Sequence, residues 1–203
     1  MCFMQITRKG TKMNIYDLFK NYQPKNEQEA RDQQLILDFI NVNPNCLSRD
    51  NLAAHITASA FVVNQMMNKV VFAFHHIYQS WAWVGGHADG DEDLLHVALK
   101  EAEEETGLKH LKPYSEDIFT IDVIYVHNHI KKGIYVPDHL HLNATYLLIA
   151  DDNEIPVHNP NEHQDVRWFD LDHVMDMVSE NRMKTVYEKA FDLIKKYREK
   201  AIQ

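Results

Sequence analysis

The chain has 203 residues, of which 45% are hydrophobic and 25% charged, with a formal net charge of −9. A length of this order suits one domain with an extension, or two small domains. Its two cysteines, Cys2 and Cys46, exclude a disulfide framework and a four-thiolate zinc site. No apolar run approaches the ~20 residues of a membrane-spanning helix, and lysines interrupt the first apolar stretches, unlike a secretory signal. We therefore expect a cytoplasmic globular protein that does not bind membranes.

The acidic charge is concentrated in one segment. Between Asp89 and Glu105 there are eight acidic residues and one base, Lys100, so the rest of the chain carries a net charge of only −2. This distribution excludes a protein that binds nucleic-acid polymers, which requires a basic surface. A dense group of carboxylates is typical of a cation site.

Apolar periodicity changes several times along the chain. In chain order it predicts a helix over 27–41, strands over 55–63, 69–78 and 81–84, a helix over 92–106, strands over 118–126, 141–150 and 165–169, and helices over 172–179 and 181–200. Residues 1–25 carry no such period and are predicted to be irregular. This order of elements predicts an α+β fold in which a mixed β-sheet is sandwiched between helices. We place the boundary at 43–52, with an N-terminal extension of one helix over 1–52 and a domain over 53–203.

Three glutamates share one face of the predicted helix over 92–106. Glu101, Glu104 and Glu105 have the i, i+3, i+4 spacing that brings side chains together on a helix. Their mutual repulsion and their position near the negative end of the helix dipole both cost stability. A hard divalent cation such as Mg²⁺, which prefers oxygen ligands, would neutralise them.

The segment from Gly86 to Leu108 resembles the Nudix box of the MutT-like hydrolases. The family pattern is Gly, five residues, Glu, seven residues, Arg-Glu, an apolar residue, any residue, Glu-Glu, any residue, Gly and an apolar residue. Every fixed position of this pattern matches, except that Lys100 stands where the family usually has Arg. The resemblance, which extends from about His55 to the end of the chain, implies a Nudix fold.

The same resemblance implies roles for the residues of the box. Glu101, Glu104 and Glu105, with the backbone carbonyl of Gly86, correspond to the ligands of Mg²⁺ or Mn²⁺, and Glu104 and Glu105 are also candidate catalytic residues. Lys100 corresponds to an arginine that orients the glutamates. Because an ammonium lacks the planar fork of a guanidinium, Lys100 pairs with one carboxylate without gripping two oxygens.

Many Nudix proteins contribute a further glutamate from a loop that precedes a late strand with a tryptophan. Glu162 precedes Trp168 in this way, and we assign it as the candidate catalytic base or an additional metal ligand. Asp165 and Asp138 remain alternatives for this role.

The resemblance implies metal-dependent hydrolysis of a pyrophosphate bond in a small molecule, a nucleoside diphosphate linked to another moiety. A Nudix module that only binds a nucleotide or a protein is one alternative, although such modules typically lose box glutamates. An activity like that of isopentenyl-diphosphate isomerase is another, and we disfavour it because both cysteines precede the box. The residues after the box do not settle the substrate. Ile124 stands where ADP-ribose hydrolases often have Pro, whereas Tyr125 stands where diadenosine-polyphosphate hydrolases often have Tyr.

Tyr125 is therefore one candidate substrate-binding residue, and His87, directly after the glycine pair, is the other. The pairs His127/His129 and His139/His141 have the i, i+2 spacing that places two side chains on one side of a strand. Neither pair has a cysteine or a third histidine at a recognisable zinc spacing, so we interpret them as polar surface residues. The first 50 residues are open to three interpretations: a lid, an element of a homodimer, or simple packing.

Overall fold

A mixed β-sheet forms the centre of the protein in the computed structural model, which describes residues 14–77, 79–131 and 133–202. Cys2 and the first half of the segment predicted to be irregular lie outside these residues. The helices are α1 (Ile15–Asn21), α2 (Glu27–Val42), α3 (Leu94–Thr106) and α4 (Asn181–Ile202), with a 3₁₀ turn at Val174–Met177. The strands are β1 (Ala54–Asn64), β2 (Lys69–His75), β3 (Ser80–Ala82), β4 (Val84–His87), β5 (Lys112–Pro113), β6 (Thr120–Val126), β7 (His129–Lys131), β8 (Ile134–Val136), β9 (His139–Ala150) and β10 (His163–Asp170). None of the described helices is both long enough and apolar enough to cross a membrane.

The central pair of the eight-stranded sheet, β1 with β9, is parallel. Its register runs from Ala54 opposite Leu140 to Asn64 opposite Ala150. The other pairs are antiparallel: β2 and β4 with β1, β10 and β3 with β2, and β5 and β6 with β9. Strands β7 and β8 form a separate hairpin. The predicted mixed sheet between helices is confirmed.

Apolar clusters cover both faces of the sheet, because side chains alternate along each strand. Ile56 and Val62 of β1 belong to the cluster under α1, α2 and α3, whereas Phe61 and Val63 belong to the cluster under α4. Every residue of β1 is buried, as expected for a central strand with both faces covered.

The N-terminal segment contains two helices rather than the single helix predicted. α1 begins after Asn14, whose side chain accepts a hydrogen bond from the Asp17 backbone nitrogen at 2.8 Å. Its 7 residues are too few for a helical period to stand out in the sequence. Phe19 of α1 and Ile36 of α2 are completely buried in the same apolar cluster as β1, so both helices pack against the sheet.

Other predicted elements differ in their limits. The strand predicted over 81–84 is interrupted at Trp83, because β3 pairs with β2 whereas β4 pairs with β1. The helix predicted over 172–179 is only the 3₁₀ turn, and the strand predicted over 69–78 ends at His75. Strand β5 and the β7–β8 hairpin were not predicted, since 2 or 3 residues are too few for an alternating pattern.

A buried ion cluster links three elements that are distant in the chain. Lys189 Nζ of α4 lies 3.1 Å from Glu29 Oε1 of α2 and 2.8 Å from Asp122 Oδ1 of β6. Glu29 is fully buried and accepts a hydrogen bond from the Tyr22 hydroxyl at 2.8 Å. Burial raises the pKa of Asp122 to about 6, against the opposing effect of Lys189. The ammonium of Lys189 therefore lies against two buried carboxylates.

Replacement of this lysine should destabilise the protein strongly. We expect Lys189→Met to lower the free energy of unfolding by about 3–5 kcal/mol near neutral pH, because Glu29 and Asp122 would remain buried without the ammonium that lies against both. Lys195→Met on the same helix is the matched control, since Lys195 pairs with Asp172 in an exposed ion pair of 2.8 Å that is worth about 0–1 kcal/mol. Urea unfolding measures both values, and equal destabilisation by the two variants would contradict the assignment.

Candidate metal and catalytic site

The box segment folds as a strand, a loop and a helix. α3 begins after Asp93, whose side chain accepts a hydrogen bond from the His96 backbone nitrogen at 3.0 Å. It is followed by Gly107, whose φ of 67° is left-handed, a conformation that glycine adopts without steric cost. The predicted helix with a C-terminal glycine is confirmed, although its first residue is Leu94 rather than residue 92.

α3 is attached to the sheet by its apolar side. Leu94, Val97, Ala98 and Ala102 are buried in the cluster that also contains Ile56 of β1. The box glutamates lie beside this stripe, toward β4 and the loop that precedes β10. Apolar packing thus fixes the helix rotation that presents the carboxylates.

The Glu101 carboxylate lies directly against the backbone of Gly86. A Cβ atom on residue 86 would lie 2.5 Å from Glu101 Oε2, so a residue without a side chain is required for this approach. Burial raises the pKa of Glu101, and the negative charges of Glu104 and Glu162 add to the effect while Lys100 opposes it.

Glu105 is the most deeply buried carboxylate of the box. It is 6% exposed, and its Oε2 accepts a hydrogen bond from the Gly85 backbone nitrogen at 3.1 Å. Burial raises the pKa of Glu105 well above its ordinary value, and the charges of Glu162, Glu101 and Glu104 raise it further. An ionised carboxylate in this position is costly unless a positive charge compensates it. The donor set therefore fits a divalent cation.

Glu162, in the loop before β10, and His163, the first residue of β10, lie next to Glu105. Glu105, Glu162 and His163 each offer a ligand atom within 4.8 Å of the others. The predicted proximity of Glu162 to the box is thus observed, whereas its chemical role stays a prediction. Sequence reasoning missed His163, which is 2% exposed and whose Nε2 lies 3.9 Å from Glu105 Oε1. Burial lowers the pKa of His163 to about 4, so its imidazole is neutral near pH 7.

Lys100 lies between two box glutamates at the surface of α3. Its Nζ is 3.5 Å from Glu101 Oε1 and 3.8 Å from Glu104 Oε1. The side chains of Lys100 and Glu104 are 53% and 56% exposed, so the pair between them contributes little to stability. The ammonium therefore reaches both carboxylates, but without the bidentate contact that an arginine makes.

The two alternatives to Glu162 are engaged by other groups. Asp165 forms an ion pair with Arg167 and accepts a hydrogen bond from the Val166 backbone nitrogen at 2.8 Å. Asp138 accepts a hydrogen bond from the Asn128 backbone nitrogen at 2.7 Å, and a hydrogen bond from Tyr125 lowers the pKa of this carboxyl. Among the three candidates, Glu162 is the one that the structure brings to the box.

The two candidate substrate-binding residues lie in different parts of the sheet. His87 ends β4, and its ring centroid is 4.9 Å from that of His55. Tyr125 lies on β6, separated from β4 by β9 and β1. Its ring is 42% exposed and contacts His127 and Arg182, two of the residues that line a cavity of about 330 Å³.

The prediction that His139 and His141 are polar surface residues is wrong. His139 is 6% exposed, and burial lowers the pKa of His141 well below its ordinary value. The register of β1 with β9 places His55, itself 3% exposed, opposite His141. This third histidine belongs to a strand far away in the sequence, so no local spacing could have revealed it.

Cys46 is buried in the apolar cluster, at 4% exposure. Burial raises the pKa of its thiol, which makes it a poor nucleophile. This observation weakens the alternative of an isomerase with a reactive cysteine.

Comparison with known proteins agrees with this geometry. The family model described as the NUDIX domain matches residues 53–190. No curated protein matches the chain. Similar solved structures include a NUDIX-family hydrolase from Clostridium perfringens (19% identity, TM-score 0.48, 69% of this chain and 97% of that chain covered) and a C. elegans Ap4A hydrolase binary complex (17% identity, TM-score 0.50, 68% and 95% covered). The E. coli dihydroneopterin triphosphate pyrophosphohydrolase has 14% identity and a TM-score of 0.47, with 66% and 92% covered. At these identities the likeness shows the fold alone.

A glycine pair that faces a helix with three glutamates, on a mixed sheet between helices, together with the NUDIX-domain match over residues 53–190, indicates a pyrophosphohydrolase. Because the family model covers more than half of the chain, the protein belongs to the Nudix family.

Removal of the buried box charge should stabilise the protein when no divalent cation is present. We expect Glu105→Gln to raise the melting temperature near neutral pH, because the folded protein no longer has to ionise a buried carboxylate. The pKa of Glu105 is raised in the folded state. The destabilisation that this carboxyl causes is therefore absent below the unfolded-state pKa of about 4.3 and increases with pH above that value. The melting temperatures of variant and wild type should therefore converge in acid.

Millimolar Mg²⁺ should reduce or reverse the difference in melting temperature between Glu105→Gln and wild type. A cation that binds only the native wild-type protein stabilises that protein by RT ln(1 + [L]/Kd). Glu103→Gln, a substitution at an exposed position of the same helix, is the control. It should leave the melting temperature unchanged both with EDTA and with Mg²⁺. Thermal melts with EDTA and with Mg²⁺ provide the measurement. Equal stabilisation of wild type and Glu105→Gln by Mg²⁺ would contradict a cation site at Glu105.

Proposed function

We propose that the protein uses Mg²⁺ or Mn²⁺ to hydrolyse a pyrophosphate bond in a nucleoside diphosphate linked to another moiety. One observation carries the proposal: carboxylates from α3 and from the loop before β10 converge on the glycine pair of β4. Glu101 lies against Gly86, and Glu105 accepts a hydrogen bond from Gly85 and lies beside Glu162.

Four groups of the box would hold the cation: the carboxylates of Glu101, Glu104 and Glu105 and the carbonyl of Gly86. Oxygen donors of this kind are those that Mg²⁺ and Mn²⁺ prefer. When bound, the cation would neutralise phosphate charge and lower the pKa of the attacking water. Lys100, within 3.8 Å of both Glu101 and Glu104, would orient these two carboxylates.

Glu162 would accept the proton of the attacking water. Its side chain is exposed and precedes β10, so it is accessible to substrate while lying close to Glu105. A carboxylate that acts in this way has to reach the water at hydrogen-bonding distance in the complex with substrate. The neutral imidazole of His163, which lies beside the Glu105 carboxylate, would hold that carboxylate in position.

His87 and Tyr125 are the proposed contacts to the rest of the substrate. Burial lowers the pKa of His87 to about 3, so the ring would contact the substrate as a neutral imidazole rather than as a positive charge on phosphate. The exposed ring of Tyr125 would stack on an aromatic base. Arg182, whose guanidinium carbon lies 5.8 Å from the centroid of that ring, would add a positive charge there.

A panel of substrates tests the proposal and separates it from a module that only binds nucleotides. ADP-ribose, diadenosine polyphosphates, coenzyme A and nucleoside triphosphates are incubated with the protein and Mg²⁺, and the release of phosphate or nucleotide is measured. Binding without release of product from any of them would favour the non-catalytic module.

Loss of a box carboxylate should impair both metal binding and turnover. Glu104→Gln keeps the size of the side chain but removes the charge, and we expect it to weaken Mg²⁺ binding by about 10–100-fold or more, as a proposed direct ligand. Turnover should fall with it, whereas Glu103→Gln one residue earlier should leave both unchanged. Calorimetric titration of Mg²⁺ and initial rates on the same substrate give the two values. Normal metal binding and turnover in Glu104→Gln would refute the proposed site.

Loss of the proposed base should affect turnover alone. We expect Glu162→Gln to lower kcat by about 10²–10⁴-fold with little change in Mg²⁺ affinity. Asp165→Asn, in the same loop-to-strand segment, is the matched control and should keep at least most of the activity. If Glu162→Gln turns over at the wild-type rate, the base is Asp165, Asp138 or a box glutamate.

A further inference from the structure

A second group of potential metal ligands lies on the central strands, apart from the box carboxylates. His55, His139 and His141 each offer a ring nitrogen within 4.8 Å of the other two. The ring centroids of His55 and His139 are 4.9 Å apart, and those of His139 and His141 are 5.0 Å apart. The ring of His87 borders the group, 5.0 Å from that of His141. We call His55, His139 and His141 the histidine cluster.

Backbone carbonyls fix the tautomers of two of these rings. His55 Nδ1 lies 3.1 Å from the carbonyl oxygen of Asn51, and His139 Nδ1 lies 2.8 Å from that of Pro137. A carbonyl can only accept, so each Nδ1 carries the proton and each neutral ring has its lone pair on Nε2. A histidine that binds a metal through one nitrogen typically donates the other N–H to a carbonyl in this way.

The Nε2 atoms of the two β9 histidines face each other. His139 Nε2 and His141 Nε2 are 3.1 Å apart, close to the ~3.3 Å that separates two imidazole nitrogens at 2.0–2.1 Å from a tetrahedral Zn²⁺. His55 Nε2 is buried and has no hydrogen-bond partner among the described residues. A buried acceptor without a partner costs free energy, and a hydrogen bond between the other two rings does not satisfy it. One metal ion bound to a nitrogen of each of the three rings would give His55 Nε2 a partner.

We propose that the histidine cluster binds one transition-metal ion that prefers imidazole ligands, namely Zn²⁺. Imidazole nitrogen suits Zn²⁺, whereas Mg²⁺ and Mn²⁺ favour oxygen, so the two sites of this protein select different cations. Three histidines leave the fourth position of a tetrahedral ion open to water or another ligand. This inference does not depend on hydrolysis at the box.

Zn²⁺ titration in the presence of a large excess of Mg²⁺ tests the proposal, because Mg²⁺ would compete with Zn²⁺ for the oxygen ligands of the box. Calorimetry on the full chain should show one Zn²⁺ ion per molecule. His139→Gln and His141→Gln should each weaken Zn²⁺ binding more than about 100-fold, since loss of a ligand exceeds the 10–100-fold cost of losing an outer partner. His173→Gln, an exposed histidine, is the matched control and should bind as wild type does.

Glu101→Gln is the second control and should lose Mg²⁺ affinity while it keeps Zn²⁺ binding. Absence of Zn²⁺ binding in wild type, equal binding in wild type and His139→Gln, or loss of Zn²⁺ in Glu101→Gln alone would each overturn the proposal. Circular dichroism verifies that the variants fold. If a histidine variant does not fold, NMR of the wild type decides instead: Zn²⁺ should shift the ring signals of the histidine cluster and its neighbour His87, and leave those of exposed histidines in place.

Discussion

The parallel pairing of β1 with β9 positions the other parts of the sheet. β1 pairs on one edge with β4, which contains the glycine pair, and β9 pairs on the other edge with β6. Between the two strands, the hydroxyls of Thr57 and Ser59 donate to Asn143 Oδ1 at 2.8 and 2.9 Å. Because a shift of register by one residue would turn every side chain to the opposite face, this buried contact and the apolar clusters specify the same alignment.

The two faces of the sheet place ionisable groups under opposite constraints. At the box, burial raises the pKa of Glu105, so ionisation costs stability as the pH rises. In the histidine cluster, burial lowers the pKa of His55 and His141, so protonation costs stability as the pH falls below the ordinary histidine value. Burial thus disfavours the ionised form of Glu105, which binds a cation, and favours the neutral imidazoles of His55 and His141, which do the same. The backbone N–H of Gly85, which donates to Glu105, and the ammonium of Lys100 near Glu101 both reduce the cost of ionising these carboxyl groups.

What the sequence predicted correctly is mostly local. The box, the helix over Leu94–Thr106 and the terminating glycine follow from spacing within 23 residues, and the β1–β2 hairpin follows from apolar strands separated by a short turn. The histidine cluster was missed because its third member comes from β1, and parallel register is not encoded in local periodicity. α1 was missed because it is short, and the split between β3 and β4 because pairing partners, not propensities, determine it.

The N-terminal segment is attached to the loop that connects β4 with α3. Gly90 donates its backbone N–H to the carbonyl of Leu47 at 3.2 Å, and the guanidinium of Arg49 pairs with Asp89. The positive charge of Arg49 is also close enough to interact with Glu101. Leu47 and Arg49 follow α2 directly in the chain, so these contacts connect the segment that carries α1 and α2 to the loop through which the glycine pair leads into the box helix.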